Sequence, residues 1–560
     1  MKKLHLIALA LLSALLLSIP FFRWGTGLLL LVAFVPLLLL EDQVSTAKEE
    51  AKKNQGKEKG KRVKAPRMIW YALLAFGVFV LLTTWWIYWA TPIGPPATLI
   101  VNGGYMTLTF LVFHHTKRRL GKRLGYASLV VFWLAFEFLY IRAQINFPWL
   151  ILGNGFANDV MLIQWYEWTG ALGGTLWVLV MNLLVFKLVK AWAAGEQKAE
   201  GQNAEGLKIR GSLATQRRTL VLTAGVLLLP MLLSIIRFAT YQEKDDPYEM
   251  VVLQPNIDPY LKFQDMPQEV QTAYLLQLAD SLVTPETDYI VAPETFINNN
   301  LWEHAMYRHP DILKLQIFMK GFPNAHFVLG ASTYKVYHDP DDFTPSSREY
   351  RGGPERYDYF NTALQIDDSG EIPLYRKSML VTGVEKMPYK EYLGFLDNLV
   401  TNLGGTTRGN GSQEYRDAFV SPIDSTRVGP VICWESVFGE YVTDYVSDAG
   451  ANFIFIITND GWWKNTAGYR QHNSFARLRA IENRRSVARS ANTGISSLID
   501  QRGVELARIG WWERSGIRGT LNKNDKLTFY VKHGDYLGRI AVLLTVILLL
   551  YSFVSRYIKK

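Results

Sequence analysis

Residues 428–435 read Val-Gly-Pro-Val-Ile-Cys-Trp-Glu, a short apolar run ending on Cys433, the one cysteine in 560 residues. A short β-branched run bounded by Gly and a charge reads as a buried strand. A lone cysteine forms no internal disulfide, so either packing or reactivity accounts for it. Two further runs share this design. Tyr-Ile-Val-Ala-Pro-Glu-Thr, 289–295, carries Glu294, and Leu-Tyr-Arg-Lys-Ser-Met-Leu-Val, 374–381, carries Lys377. Each charge sits in or just after a strand-like run. Glu, Lys and Cys in that order suggest a thiol enzyme that holds its own base and its own cation.

Outward from these runs, 250–256, 326–332, 361–366 and 452–458 also fit strands, and 268–283 and 470–485 fit amphipathic helices. Continuous apolar strands alternating with helices predict a layered α/β domain. That pattern fills only the middle of the chain. Stretches long and apolar enough to span a membrane fall at 4–22, 24–40, 69–89, 98–115, 127–142, 170–189, 220–237 and 538–555. The expected organisation is a membrane domain of about seven helices over 1–244, an α/β domain over 245–535, and a last helix with its tail over 536–560. Leu4 to Phe22 follows Lys2 and Lys3 as a signal peptide would. No small-residue cleavage site follows it, so it reads as a retained helix.

Lys and Arg gather in alternate loops: 41–68, 116–126, 187–218 and the two chain ends. These segments hold 26 cations against 8 acids, so the remainder of a chain of net charge +10 is acidic. The basic character is therefore a topology signal and gives no support to nucleic-acid binding. It predicts cytoplasmic ends and an α/β domain outside, with Arg23 and Arg142 as the cations on the outer loops. Residues 45–64 read as a solvated loop. Few polar residues lie inside the spans. Glu137 and Arg142 read either as buried structural contacts or as site residues, and with Asn102 and Asn182 they are too few for an ion pathway. Residues 145–154, broken by Pro148 and Gly153, suit an interfacial or re-entrant loop beneath the outer domain, with aromatic rings at headgroup level. His114-His115 lacks partners at metal-ligand spacing, and no phosphate loop or dinucleotide motif is present, so no metal or cofactor is expected.

Pro-Glu-Thr at Glu294, Tyr-Arg-Lys at Lys377 and Cys-Trp-Glu at Cys433 resemble the Glu-Lys-Cys triad of the nitrilase, or carbon–nitrogen hydrolase, superfamily. Helices before and after the α/β part make the chain similar to one branch, the apolipoprotein N-acyltransferases. Phe147-Pro148-Trp149-Leu150, Asn459-Asp460-Gly461-Trp462, Gln471-His472, 476–482 and Asn492-Thr493-Gly494-Ile495 match that branch in order. The resemblance implies a multi-pass α-helical membrane domain plus a nitrilase-like α/β/β/α sandwich. It implies catalysis by Glu294, Lys377 and Cys433, with Glu385, Glu435, Asn361 and Trp434 in support. Phe263, Trp149, Trp462, Glu137 and Arg142 are candidate substrate or lipid contacts. Trp434 and Phe263 depart from the better-known members, which carry Tyr and Trp there. Glu385 also reads as a surface salt-bridge partner, and His472 as structural.

The implied reaction moves an acyl chain from a phospholipid, typically phosphatidylethanolamine, through a thioester on Cys433. The acceptor is the amine of a diacylglyceryl-cysteine lipoprotein. The implied setting is a monomer in the bacterial inner membrane with its catalytic domain in the periplasm. Inserts at 334–358 and 386–415 are expected to form arms over the site. A membrane-anchored amidase hydrolysing a small amide, and a catalytically inactive lipid-binding scaffold, are the competing readings.

Overall fold

A computed structural model of the chain describes residues 3–55, 66–200, 206–262, 265–389, 392 and 409–558. Eight of its helices are long and apolar enough to cross a membrane: Lys3–Phe21, Gly27–Ala51, Met68–Trp89, Gly94–Leu120, Lys122–Ile141, Tyr166–Ala193, Thr215–Thr240 and Tyr536–Ser555. The second extends well past the apolar stretch that marks it, because Val35–Gln55 is one helix. Residues 45–55, expected as loop, are therefore helical. Their Ala, Lys and Glu favour helix, and the extension has internal anchors. Glu41 is fully buried, accepts from Ser45 Oγ at 2.8 Å, and pairs with His114 at 2.7 Å and with Lys117. Residues 56–65 of that loop lie outside the described residues.

Between the seventh and eighth spans the chain builds two sheets. The first contains β1 (Pro247–Gln254), β2 (Thr287–Val291), β3 (Ile297–Trp302), β4 (His326–Tyr337), β5 (Arg348–Glu349), β6 (Arg356–Ile366), β7 (Leu374–Arg376) and β14 (Ser515–Asn522). Its path runs β14-β1-β2-β4-β6-β5, with β3 on β4 and β7 on β6. The second contains β8 (Phe419–Val420), β9 (Arg427–Ile432), β10 (Phe453–Thr458), β11 (Val487–Ala491), β12 (Ser496–Ile499) and β13 (Glu505–Ile509), in the order β13-β12-β11-β10-β9-β8. The strands β1, β2 and β4 run parallel, as do β9, β10 and β11.

Side-chain alternation along a strand makes these sheets the middle of four layers. Met250 and Val252 of β1 join the core shared with the second sheet, whereas Val251 and Leu253 pack on the helices Gln268–Asp280 and Pro310–Met319. Tyr289 meets Phe455 across the two sheets at 5.2 Å between ring centres. The helices Gly439–Ser447 and Ala467–Asn483 cover the far face with Val442, Val446, Leu478 and Ile481. This is the α/β/β/α sandwich joined to a helical membrane part.

The insert at 334–358 is an extension of the β4–β6 hairpin, in register from Tyr334↔Tyr359 to Tyr337↔Arg356. An aromatic group of Trp302, Tyr334, Tyr350 and Tyr357 holds it. Most of the other insert, 386–415, lies outside the described residues.

The sandwich rests on one end of the spans through buried polar contacts. Gln471 donates to the Phe21 carbonyl at 2.7 Å, and Glu482 accepts from the Ala171 amide at 3.1 Å. Arg484 pairs with Glu167 at 2.7 Å. Residues 148–162 form three short turns packed into this junction, with Trp149, Leu152 and Phe156 fully buried. They make a buried floor beneath the sandwich, so the ring of Trp149 packs inside the protein.

Candidate active site

Parallel strands deliver their carboxyl ends to one edge of the sheet, and loops there carry chemistry in open α/β folds. Cys433 follows β9 directly, and Asn459 follows β10. Glu294 comes three residues after β2. The Asn459 amide donates to Glu294 Oε2 at 3.1 Å, so the edges of the two sheets meet at this point. Both turns are sharp. Cys433 has φ +50° and Thr295 φ +49°, left-handed values that a non-glycine residue holds only when its surroundings impose them. The chain at Glu294 passes so close to Gly330 of β4 that a Cβ there would lie 2.4 Å from the Thr295 nitrogen. Only glycine permits that approach.

Lys377 extends β7, its amide donating to the Asn361 carbonyl at 2.8 Å. Its ammonium lies 3.3 Å from Glu294 Oε1 and 3.0 Å from Glu385, and its side chain is 1% exposed. Asn361 Nδ2 donates to Glu294 at 2.7 Å and to Glu385 at 3.1 Å. The Val381 amide donates to the other oxygen of Glu385 at 2.8 Å. The four residues form one closed network, and Glu385, which also read as a surface ion-pair partner, is an internal member of it. Burial pushes the Lys377 pKa down. Glu385, Glu294 and the Cys433 thiol outweigh burial and hold it well above the ordinary lysine value, so the side chain is a cation. The Cys433 thiol pKa is raised as well, by a different balance of causes. Burial raises its pKa first, then the Glu294 charge, and Lys377 opposes them without prevailing. The resting sulfur therefore carries its proton.

Glu435 fixes the loops that carry these groups. It is fully buried and accepts from the amides of Ile432, Ser378 and Met379 at 2.8, 2.8 and 3.2 Å. It also accepts from the hydroxyls of Tyr375, Tyr441 and Tyr445 at 2.8, 2.6 and 2.8 Å. One carboxylate thus locks the Cys433 turn to the Lys377 segment. Below it, His472 reaches the Cys433 carbonyl at 3.2 Å and Ser436 Oγ at 3.0 Å. Asp460 holds the other ring nitrogen at 2.9 Å and pairs with Arg489 at 2.7 Å. His472 touches the backbone of the turn, in keeping with its structural reading.

The floor is aromatic. Trp434 stacks on Trp149 at 5.8 Å and 20°, and Trp149 contacts Trp86, Trp463 and Phe475. Trp434 Nε1, Asn361 Oδ1 and Asn459 Nδ2 are buried without a hydrogen-bond partner among the described residues. Such atoms cost roughly 1–3 kcal/mol each when left unmade, and they sit beside the three turns just described.

The structure brings together Glu294, Lys377, Glu385, Asn361, Cys433, Trp434, Glu435 and Trp149. Trp462 packs edge-on against Tyr260 at 5.4 Å, and Phe263 lies outside the described residues. Glu137 and Arg142 are elsewhere. Glu137, 2% exposed, accepts from Trp133 Nε1, the Leu152 amide and Thr175 Oγ1 and so pins the floor. Arg142 pairs with Glu440 and Asp535, joining the fifth span to the sandwich and the last helix. The geometry thus supports a structural contact for both residues, buried for Glu137 and exposed for Arg142.

Lys262 is a residue that sequence reasoning missed. It is 1% exposed and donates to the Glu294 carbonyl at 3.1 Å and to Thr295 Oγ1 at 3.3 Å. Burial lowers its pKa to about 7, with Glu294 opposing. The signal was present in the apolar setting of Pro259-Tyr260-Leu261-Lys262. Among the described residues no group of three or more His, Cys, Asp or Glu side chains is placed to hold a metal ion.

Comparison with known proteins points the same way. The family model "Apolipoprotein N-acyltransferase N-terminal domain" matches residues 13–184, and "Carbon-nitrogen hydrolase" matches 343–525, which includes Lys377 and Cys433 and begins after Glu294. An apolipoprotein N-acyltransferase of Chlorobaculum tepidum is 27% identical over 98% of this chain and 96% of its own. One from Geobacter metallireducens is 26% identical over 94% and 91%. Among solved structures, a CN-hydrolase superfamily protein of Xanthomonas campestris aligns at TM-score 0.34 and 15% identity, over 53% of this chain and 96% of that one.

Proposed function

The chain belongs to the apolipoprotein N-acyltransferase family, and from that premise we propose that it moves an acyl chain from a phospholipid, through a thioester on Cys433, to the N-terminal amine of a diacylglyceryl-cysteine lipoprotein. The observation that carries this reading is the buried Lys377 cation, held between Glu294 and Glu385 and acting on the Cys433 thiol.

A protonated thiol needs a base at the moment of attack. Glu294 takes the Sγ proton as sulfur attacks the ester carbonyl of the donor, such as phosphatidylethanolamine. Negative charge then develops on the carbonyl oxygen, where Lys377 and the backbone N–H groups after Cys433 stabilise it. As the intermediate collapses, Glu294 returns its proton to the departing alkoxide and the lysophospholipid leaves. In the second half the lipoprotein amine attacks the thioester and gives its proton to Glu294. An amide forms, and the thiolate leaves and is reprotonated.

Asn361 and Glu385 hold Glu294 and Lys377 in register, and Glu435 fixes both loops. Both substrates are lipid-anchored, so a site whose floor is made by Trp149 and Trp86 of the membrane part meets them at the bilayer surface. The distribution of Lys and Arg supports a catalytic domain in the periplasm of an inner-membrane protein. We read the protein as a monomer.

The test is the intact mass of the purified protein after incubation with phosphatidylethanolamine. A hydroxylamine-labile gain of one acyl chain, absent from Cys433→Ala, is expected. A released free acid from a small amide, with no acyl adduct from any phospholipid, would overturn the reading in favour of an anchored amidase.

A further inference from the structure

A cavity of about 280 Å³ opens on the opposite side of the helix Ala467–Asn483 from the Cys433 turn. His472 on that helix reaches the Cys433 carbonyl, whereas Arg470, Asn473, Ser474 and Arg477 face the cavity. The rest of its wall comes from the loop after the first span, from 154–158 of the buried floor, and from β13. Four arginines line it from three segments: Arg23, Arg470, Arg477 and Arg508, of which Arg470 donates to the Thr466 carbonyl and Asn465 Oδ1 and Arg477 Nε to the Gly503 carbonyl.

One lining carboxylate, Glu505, acts on Arg477, so the four cations are offset only in part. Glu505 is the lining carboxylate, and it already accepts from Asn473 Nδ2 and lies 3.5 Å from Arg508. Asp159 and Asp500 act on Arg477 from further off. Asp159 is held by the Gly27 amide and the Thr26 hydroxyl, and Asp500 by Arg502 at 2.9 Å and by the amides of Arg502 and Val504. Asn154, Asn158 and Gln471 add polar lining, while Pro20, Phe21, Phe22 and Ile495 make an apolar side.

The position of Arg23 sets the level of this cavity. It follows directly on the first span, Lys3–Phe21, and precedes Trp24, which is 74% exposed. Tryptophan beside the end of a span marks the headgroup zone. Arg23 is also one of the two outer-loop cations that stood out in the sequence. Its counterpart, Arg142, is consumed by Glu440 and Asp535, and Arg23 faces a cavity instead.

We propose that this cavity binds the phosphodiester headgroup of an anionic membrane phospholipid, at a site separate from the acyl-transfer centre. Guanidinium forks suit phosphate oxygens, and the excess of cations selects a headgroup with net negative charge over a zwitterionic one. The apolar side takes the glycerol end and the first methylenes. Gln471 lines the cavity, donates to the Phe21 carbonyl and accepts from Trp149 Nε1 at 2.6 Å. An occupant would therefore steady the floor beneath Trp434.

The test uses full-length protein, delipidated in detergent and titrated with phosphatidylglycerol, phosphatidylethanolamine or sodium phosphate, with retained lipid read by native mass spectrometry. The wild type is expected to retain one phosphatidylglycerol at least tenfold more tightly than phosphatidylethanolamine, and millimolar phosphate is expected not to displace it. The double variant Arg477→Gln/Arg508→Gln should lose that retention tenfold or more while keeping the wild-type Tm and the wild-type rate of Cys433 alkylation. Unchanged retention in the variant overturns the site. Equal retention of the two lipids overturns the charge selection, and displacement by phosphate at matched concentration marks a free-anion site only. Arg23→Gln, on an exposed loop, gives the same readout with an expected threefold loss if the double variant does not fold. None of these readouts requires acyl transfer, so they stand or fall apart from the thioester experiment.

Discussion

At the residue scale the raised pKa of the Cys433 thiol makes Glu294, one of the charges that raise it, testable in two directions at once. Burial and the Glu294 charge raise the thiol pKa, and Lys377 pulls against them. Alkylation by iodoacetamide should therefore keep rising about tenfold per pH unit beyond pH 9, whereas an ordinary cysteine levels off near its pKa of about 8.5. Glu294→Gln removes one of the raising charges, so alkylation at pH 8 should speed up. The same change removes the base, and acyl transfer should fall by roughly 100-fold or more. Parallel changes in both assays would sink the assignment of Glu294 as base. Lys262 gives a second titration. An unfolded lysine keeps its proton to about pH 10.4, and this one releases it near pH 7. Between those values the unfolded chain binds more protons, so stability rises with pH across that window. The Tm of the wild type should climb from pH 7 to pH 9 relative to Lys262→Met, by an amount corresponding to up to roughly 2 kcal/mol. A pH-independent difference between the two would mean that Lys262 does not titrate there.

At the scale of elements, what the sequence reveals depends on how a segment earns its burial. The strands β1, β2, β4, β9 and β10 are covered on both faces and read as unbroken apolar runs, so they were legible. β11 is just as buried, yet it reads Val-Ala-Arg-Ser-Ala. Its Arg489 is held by Asp460 and His472, both on other elements, and by the Ile495 carbonyl, and no local pattern announces that. β5 and β8 are two-residue edge strands, too short to carry a period. The triad was legible because each member ends or extends an apolar run. The apolar setting of Lys262 was visible, but its contact with Glu294 and the Trp86–Trp149–Trp463 floor were not, since only tertiary packing makes them. The floor carries its own prediction. Glu137→Ala strands the Trp133 indole, the Leu152 amide and the Thr175 hydroxyl, each at a cost of roughly 1–3 kcal/mol if no new acceptor is found. The 148–156 turns should loosen, with acyl transfer reduced about tenfold and Tm lowered, while Cys433 alkylation is retained because the network of Glu294, Lys377 and Glu385 does not involve Glu137. Loss of alkylation in step with transfer would mean that the floor and the thiol site are one unit.

At the scale of the whole molecule, the charge pattern and the packing make independent statements about orientation. The sandwich rests on the span ends that carry Phe21, Trp86 and Ala171. The opposite ends carry Arg118, Arg119 and the buried ion group of Glu41, His114 and Lys117. If basic loops stay in the cytoplasm, the sandwich must lie outside it. The lone cysteine makes the test direct. In a Cys433→Ala background, Asp245→Cys near the start of the sandwich should react in intact cells with a membrane-impermeant maleimide. Arg118→Cys, in the last turn of the fourth span, should react only after the membrane is opened. The reverse pattern would place Glu294, Lys377 and Cys433 on the cytoplasmic face, away from lipoproteins already exported, and no geometry within the site could then rescue the proposed acceptor. Labelling of both positions in intact cells would mean that the membrane part does not insert as eight alternating spans. The expected pattern would place the thiol and its lysine at the outer surface, where the proposed acyl donor and lipoprotein acceptor would share a leaflet and need only lateral diffusion to meet.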